Sequence, residues 1–240
     1  MFLSIDIGNT FIKAASFENE DLKELFLNIS KEELLKIVSS MTPEKIIVCS
    51  VSGKKEDVLK FFPQSSSVLW LDHTTPLPFR TDYKTPETLG MDRVAASAGA
   101  IRLFPKADRL VIDAGTCITF EFIDREDIYR GGSIAPGIEM RFKALNTFTS
   151  RLPLVSQKEK FELPGKNTEE SIRAGVLKGI LSETRGIIQE FKDKYPGIKV
   201  ILCGGDSSFF ETNLKESIFA VPGLVLIGLN SILLYNAAIR

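Results

Sequence analysis

Two short stretches of this 240-residue chain place an acid where chemistry can use it: Ile5-Asp6-Ile7-Gly8-Asn9-Thr10 and Ile112-Asp113-Ala114-Gly115-Thr116. Each is an apolar run ending in an aspartate, a glycine and a small residue with a neutral hydrogen-bonding side chain. In open α/β sheets that end of a strand is where ligands bind. Gly8 and Gly115 let the backbone approach a phosphate closely, while Asn9, Thr10 and Thr116 offer neutral donors to its oxygens. Either aspartate can hold a hard cation, directly or through water, and so offset the charge of a nucleotide tail. Lys13, on the next strand, can add a point charge. A third candidate, Gly90-Met91-Asp92-Arg93, opens a helix after a proline-bearing loop. An acid in a first helical turn is favourable in itself, because it complements the dipole. An arginine there is less expected, and beside a cleft the two can act as a base next to a carboxylate-binding fork. Gly204-Gly205, after an apolar run, either leaves room for a flat ring against the backbone or is a plain turn.

The elements that must position these residues follow from hydrophobic pattern. Phe2 to Thr10 and Phe11 to Phe17 read as a hairpin. Helical spacing over Lys31 to Ser40, then the apolar run Lys45 to Val51, argue for a parallel α/β sheet. A short helix closes over Val58 to Phe62, and Val68 to Leu71 is another strand. Asp72 to Glu87, with three prolines, is an irregular connection before a helix over Leu89 to Leu103. At Arg109 the chain begins again. The second Ile-Asp-x-Gly pattern comes close to half a chain length after the first and also runs into an alternating strand, Ile118 to Ile123, which indicates a duplicated lobe. Gly131 to Gly137 reads as a glycine-rich turn before a helix ending near Asn146. Thr168 to Lys194 is one long amphipathic helix or two, with Thr168 able to cap it and Glu169 and Glu170 at its positive end. Lys199 to Cys203 is a buried strand. Pro222, Gly223, Gly228, Asn230 and Ser231 interrupt the apolar tail from Phe219 to Ile239, so it reads as a core-packed helix rather than a membrane span.

Composition narrows the partners. Hydrophobic residues make up 44% and charged residues 25%, with 30 basic against 31 acidic side chains and a formal net charge of −1. That balance fits an ordinary globular protein and gives no broad attraction for a phosphate polymer, so neither nucleic acid nor membrane is expected as a partner. Cys49, Cys117 and Cys203 lie far apart in apolar runs, which indicates buried thiols and a reducing cytoplasm. Asp6 interrupts the apolar start too early for a secretory leader. A P-loop and a G-x-G-x-x-G fingerprint are both missing. The lone histidine, His73, rules out multi-histidine zinc sites and reads as a surface or structural residue.

Taken together and in order, these motifs resemble those of the type III pantothenate kinases, members of the superfamily of acetate and sugar kinases, heat-shock chaperones and actin. Asp6 through Lys13 resembles the family's first phosphate motif, and Gly90-Met91-Asp92-Arg93 its substrate motif. Asp113-Ala114-Gly115-Thr116 resembles the second phosphate motif, Gly131 to Gly137 the glycine-rich segment after it, and Gly204-Gly205 the adenosine motif. Cys117 departs from the alanine most often expected there, a change conservative in size.

The resemblance implies an α/β fold of two duplicated actin-like, ribonuclease H-like lobes, residues 1–108 and 109–240, with mixed sheets flanked by helices and a cleft between them. It implies transfer of the γ-phosphoryl of ATP to the primary alcohol of pantothenate, giving 4'-phosphopantothenate in the first step of coenzyme A biosynthesis. Asp92 would be the general base. Asp6, Ile7, Gly8, Asn9, Thr10, Phe11, Ile12, Lys13, Thr116, Gly204 and Gly205 would bind the nucleotide. Tyr83, Gly90, Met91, Asp92, Arg93 and Thr168 would line the pantothenate pocket. Asp6 would work with Mg2+, and Asp113 with a monovalent cation, K+ or NH4+. A homodimer is implied, its pocket completed by Thr168 from the partner. Two alternatives stand beside this: a nucleotide-binding accessory or regulatory protein on the same scaffold, since fold alone does not fix activity, and a sugar or acetate kinase, against which the short chain and the Gly-Met-Asp-Arg motif argue.

Overall fold

The computed structural model describes residues 1–50, 55–60, 62–63, 66–157 and 161–239. Strands β1 (Phe2–Ile7) and β2 (Ile12–Glu18) form the expected antiparallel hairpin, and β3 (Asp21–Ile29) extends it. Helix α1 (Lys31–Met41) starts at a capping box, in which Ser30 Oγ accepts from the Glu33 N–H at 3.2 Å and Glu33 Oε2 from the Ser30 N–H at 2.7 Å. Such a box satisfies two donors that the first turn leaves unpaired. Strand β4 (Lys45–Ser50) pairs in parallel with β1, and β5 (Ser67–Trp70) in parallel with β4; short helix α2 (Lys55–Leu59) lies between them in sequence. The sheet order is therefore β3-β2-β1-β4-β5. Leu3, Ile5, Ala14, Ile46 and Val48 form its core with Leu34 and Val38 of α1. Val51 lies outside the described residues.

A two-residue strand, β6 (Arg80–Thr81), lies within the irregular connection, and helix α3 (Met91–Leu103) follows. The second sheet is built from β7 (Arg109–Ala114), β8 (Cys117–Ile123), β9 (Ile128–Pro136), β10 (Lys199–Cys203) and β11 (Phe219–Ala220), with β6 at one edge, in the order β11-β10-β7-β8-β9-β6. Without β6 it repeats the first sheet's order, its third, second, first, fourth and fifth strands side by side. Two mixed sheets of one wiring are what a duplicated α/β lobe requires. The remaining helices are α4 (Ile138–Thr147), α5 (Thr168–Lys194), α6 (Ser207–Leu214) and α7 (Leu224–Ala238).

Compact packing does not follow chain order. One unit comprises Met1–Arg109, Glu121–Gly131 and Gly223–Arg240; the other comprises Leu110–Phe120 and Gly132–Pro222. Within the first, the apolar tail forms α7, with Leu224, Leu226, Leu229 and Ile232 essentially inaccessible. It packs on α3 so closely that a Cβ on Gly228 would overlap the Ala95 carbonyl, and one on Gly99 the Leu224 carbonyl. Among the described residues no helix is long and apolar enough to cross a membrane.

Two local readings are corrected. Gly131 to Pro136 is strand rather than turn, and the cap of α5 is Asn167, whose Oδ1 accepts from the Glu170 N–H at 2.9 Å, so Thr168 is the first helical residue instead of the cap. Asparagine outcompetes threonine at this position because its carbonyl reaches the third helical N–H with less restriction. Helix α5 is continuous over 27 residues.

Candidate active site

In the first unit the site begins at the end of β1. Asp6 is 7% exposed and lies opposite Lys13 on β2 and Cys49 on β4, so the three side chains share one face of the sheet. The turn between β1 and β2 is closed by the Gly8 N–H donating to the Phe11 carbonyl at 3.1 Å. Asn9, Thr10 and Phe11 project from it into solvent, with Ile7 and Ile12 half-buried at its base. Burial pushes the Cys49 thiol well above its ordinary range, and the carboxylates of Asp6 and Asp92 push it further.

Asp92 stands in the first turn of α3, where its Oδ1 accepts from the Arg93 N–H at 2.9 Å. That carboxylate folds back over Gly90: a Cβ there would lie 2.5 Å from Asp92 Oδ1. Glycine at position 90 thus makes room for the acid, whose position an alanine would shift. Met91, the first helical residue, is half-buried. The Arg93 guanidinium is not an open fork. Its Nε and Nη2 donate to Oε1 and Oε2 of Glu121 at 2.6 and 2.8 Å, and Nη2 also donates to the Tyr129 hydroxyl at 2.9 Å. The Tyr83 ring lies 5.7 Å from its central carbon. Burial disfavours the cation here, but the Glu121 carboxylate outweighs it and holds Arg93 protonated above its usual range. The Tyr129 hydroxyl is pushed up by burial and by Glu121, and stays neutral.

In the second unit Asp113 is the penultimate residue of β7, and the Gly115 N–H donates to the Cys117 carbonyl at 2.9 Å, closing the turn into β8. Two glycines hold this turn. A Cβ on Gly137, the N-cap of α4, would press on the carbonyls of Gly115 and Thr116. Gly204 has φ +95, and a Cβ there would press on the Ala114 carbonyl and come within 2.5 Å of Asp113 Oδ1. The Ala114 carbonyl accepts from the Asp206 N–H at 2.9 Å. Gly204 is thus needed for packing against the turn, whereas Gly205 faces open space. Asp206 itself carries a raised pKa, first through burial and then through the Glu139 charge.

The donor set bears on metals. Among the described residues no group of three or more His, Cys, Asp or Glu side chains can hold an ion. One carboxylate beside phosphate and water oxygens fits Mg2+, which keeps several waters and takes few protein ligands. At the Asp113 turn the Ala114 and Thr116 carbonyls already accept from the Asp206 and Gly137 N–H groups at 2.9 and 3.1 Å, so the Asp113 carboxylate is the donor the turn brings to a cation.

Thr168 is exposed at the start of α5. It lines a groove of about 930 Å³ between α4 and α5 with Phe148, Leu145, Leu152, Ile172 and Val176. His73 is exposed in a loop.

A profile of the type III pantothenate kinases matches residues 2–190. The type III pantothenate kinase of Bacteroides fragilis is 49% identical over 239 residues, which is 98% of either chain. That of Cytophaga hutchinsonii is 43% identical over 98% of this chain and 100% of its own. Among solved structures, a candidate Baf family transcriptional activator from Campylobacter jejuni superposes with a TM-score of 0.65 at 25% identity, covering 98% of this chain and 99% of that one. A candidate 2-dehydro-3-deoxygalactonokinase from Sinorhizobium meliloti does so at 0.60 and 11% identity over 99% of each. The structural likenesses bear out the actin-like α/β fold class, with two mixed sheets flanked by helices.

Proposed function

Since this chain belongs to the type III pantothenate kinase family, we propose that it phosphorylates pantothenate with ATP, the opening reaction of coenzyme A biosynthesis. The observation that carries the reading is the placement of the acids of the two motifs: Asp6 is buried on β1 opposite Lys13 and Cys49, and Asp92 opens α3 with its carboxylate folded over Gly90, both charges acting on the Cys49 thiol. Asp92 accepts the proton of the primary hydroxyl, whose oxygen bonds to the γ-phosphorus as the bond to the ADP oxygen breaks. Phosphoryl transfer is loose in its transition state, so placement of that carboxylate matters more than its basicity. Gly8, Asn9, Thr10, Lys13 and Thr116 hold the phosphates; Ile7, Phe11 and Ile12 shape the first turn; and Gly204 and Gly205 flank the adenosine. Asp6 works with Mg2+ and Asp113 with K+ or NH4+. Bound cations neutralise charge on the phosphate oxygens. Tyr83, Gly90, Met91 and Arg93 surround pantothenate.

The reading further takes residues 1–108 and 109–240 as the two repeats, each contributing one phosphate motif. It takes the protein as a homodimer joined over the α4–α5 groove. Support comes from Phe148, 85% exposed, and from Leu154 and Leu163, 60% and 67% exposed, on the same unit; a second copy would cover them and bring Thr168 to its partner's pocket. The cytoplasm suits three cysteines that form no disulfide.

The test is purified protein with ATP, Mg2+, K+ and pantothenate, following ADP release against a control without pantothenate and the product by mass. Pantothenate-dependent ADP with one phosphate added is the expected result; no dependence on pantothenate overturns the reading. Replacing K+ by Na+ is expected to lower turnover, and Phe148→Asp to convert a dimer to a monomer by light scattering.

A further inference from the structure

Glu121 is fully buried in the middle of β8, in the run Cys-Ile-Thr-Phe-Glu-Phe-Ile. A carboxylate so placed is costly unless paired and fully hydrogen-bonded, and a well-packed apolar pair of similar volume is often no less stable. Stability alone gives little reason for it. Its three partners are specific: Arg93 Nε at 2.6 Å, Arg93 Nη2 at 2.8 Å and the Tyr129 hydroxyl at 2.6 Å. Nη2 closes the ring by donating to Tyr129 at 2.9 Å. The Tyr83 ring lies over the guanidinium, its centroid 6.0 Å from that of Tyr129. The arginine so gripped is the residue whose own backbone N–H donates to Asp92 Oδ1 at 2.9 Å. On the other side the same carboxylate oxygen rests against Gly90. A mechanical chain therefore runs from Glu121 and Tyr129 through the Arg93 side chain to its backbone, and from there to the Asp92 carboxylate.

We propose that Glu121 and Tyr129 are positioning residues that aim the Asp92 carboxylate by clamping Arg93. The inference rests on the reading of Asp92 as the base. A carboxylate that must meet a hydroxyl in line with a phosphorus cannot drift, since a displacement of about 1 Å can cost about a hundredfold in rate. The clamp resists drift because a bidentate arginine pair fixes orientation as well as distance. Arg93 stays cationic and Tyr129 neutral throughout the neutral range.

The test compares Glu121→Gln, Tyr129→Phe, Asp92→Asn and the double variant Glu121→Gln/Asp92→Asn, each checked for folding by circular dichroism. Glu121→Gln is expected to lower kcat about ten- to hundredfold while the KM for ATP stays within about twofold, and Tyr129→Phe to lower kcat a few-fold in the same pattern. The double variant is expected to match Asp92→Asn alone, because residues acting as one unit are not additive. In the protein without substrates, the Arg93 Nε–H resonance is expected to exchange slowly and to lose that protection in Glu121→Gln. Unchanged kcat in folded Glu121→Gln or Tyr129→Phe overturns the proposal, as does a double variant whose losses multiply. If Glu121→Gln fails to fold, Tyr129→Phe decides. Near-normal turnover in Asp92→Asn would instead remove the base on which this inference rests, while pantothenate-dependent ADP release would still stand.

Discussion

The two acid turns share a sequence pattern and differ in what surrounds them. At Asp6 the turn is open, with Asn9 and Thr10 in solvent and Phe11 52% exposed, and a Cβ on Gly8 would meet one carbonyl, Phe11 O, at 3.1 Å. At Asp113 two glycines distant in sequence press backbone against backbone. The returns from their second strands differ as well. Between β2 and β3 the chain reverses over Asn19 and Glu20, beside an exposed Lys23–Glu18 pair. Between β8 and β9 it turns on Asp124, whose carboxylate accepts from the Ile128 and Glu126 N–H groups at 3.0 Å each and from Arg130 Nε at 2.7 Å. One pattern thus produced a turn whose tip stands in solvent and a turn packed by distant glycines.

Mutations should separate the two. The largest effect is expected at Gly204→Ala, which adds overpacking of about 1–3 kcal/mol to backbone strain of about 1–3 kcal/mol; denaturant unfolding reads the sum, and a loss under about 1 kcal/mol would mean that the second turn is not rigid. Asp92→Asn should leave melting close to wild type while kcat falls at least about a hundredfold, equivalent to about 2.7 kcal/mol. Asp124→Asn is expected to cost about 1.5 kcal/mol at neutral pH, the low end for bonds to a charged group. Burial pushes the Asp124 carboxyl up, but the Ile128 N–H, Arg130 and the Glu126 N–H outweigh it, so it sits below the ordinary 3.8. A depressed folded-state value stabilises fully above 3.8 and loses its effect as pH falls through the lower value, so wild type and variant should converge in acid. Gly8→Ala should change stability least, within about 1 kcal/mol, while raising the KM for ATP. A Gly8→Ala protein as unstable as Gly204→Ala would erase the contrast.

Much of the scaffold was legible residue by residue. The hairpin at Asp6, α1, α3, α5 and the buried tail helix follow from periodicity and from glycine and proline breaks, because those signals are local. Strand β3 is not legible in the sequence because its alternation is weak and its residues are mostly exposed, and the strand from Gly131 to Pro136 is hidden because its glycines read as a turn. Glu121 is hidden for a related reason. In an alternating strand a lone acid looks like the solvent-facing partner of its apolar neighbours, and only the arrival of Arg93, 28 positions earlier, makes that face interior.

Residue types at short spacing were enough to determine the acids, the glycines beside them, the strand or helix each sits on and the family to which the chain belongs. Tertiary structure alone decided that the Arg93 guanidinium is held by an internal carboxylate, that Gly204 serves the turn at Asp113, and that α7 packs with the first half of the chain. Such facts depend on side chains and backbone brought together across long loops, where burial turns a cheap surface charge into one that must find a partner.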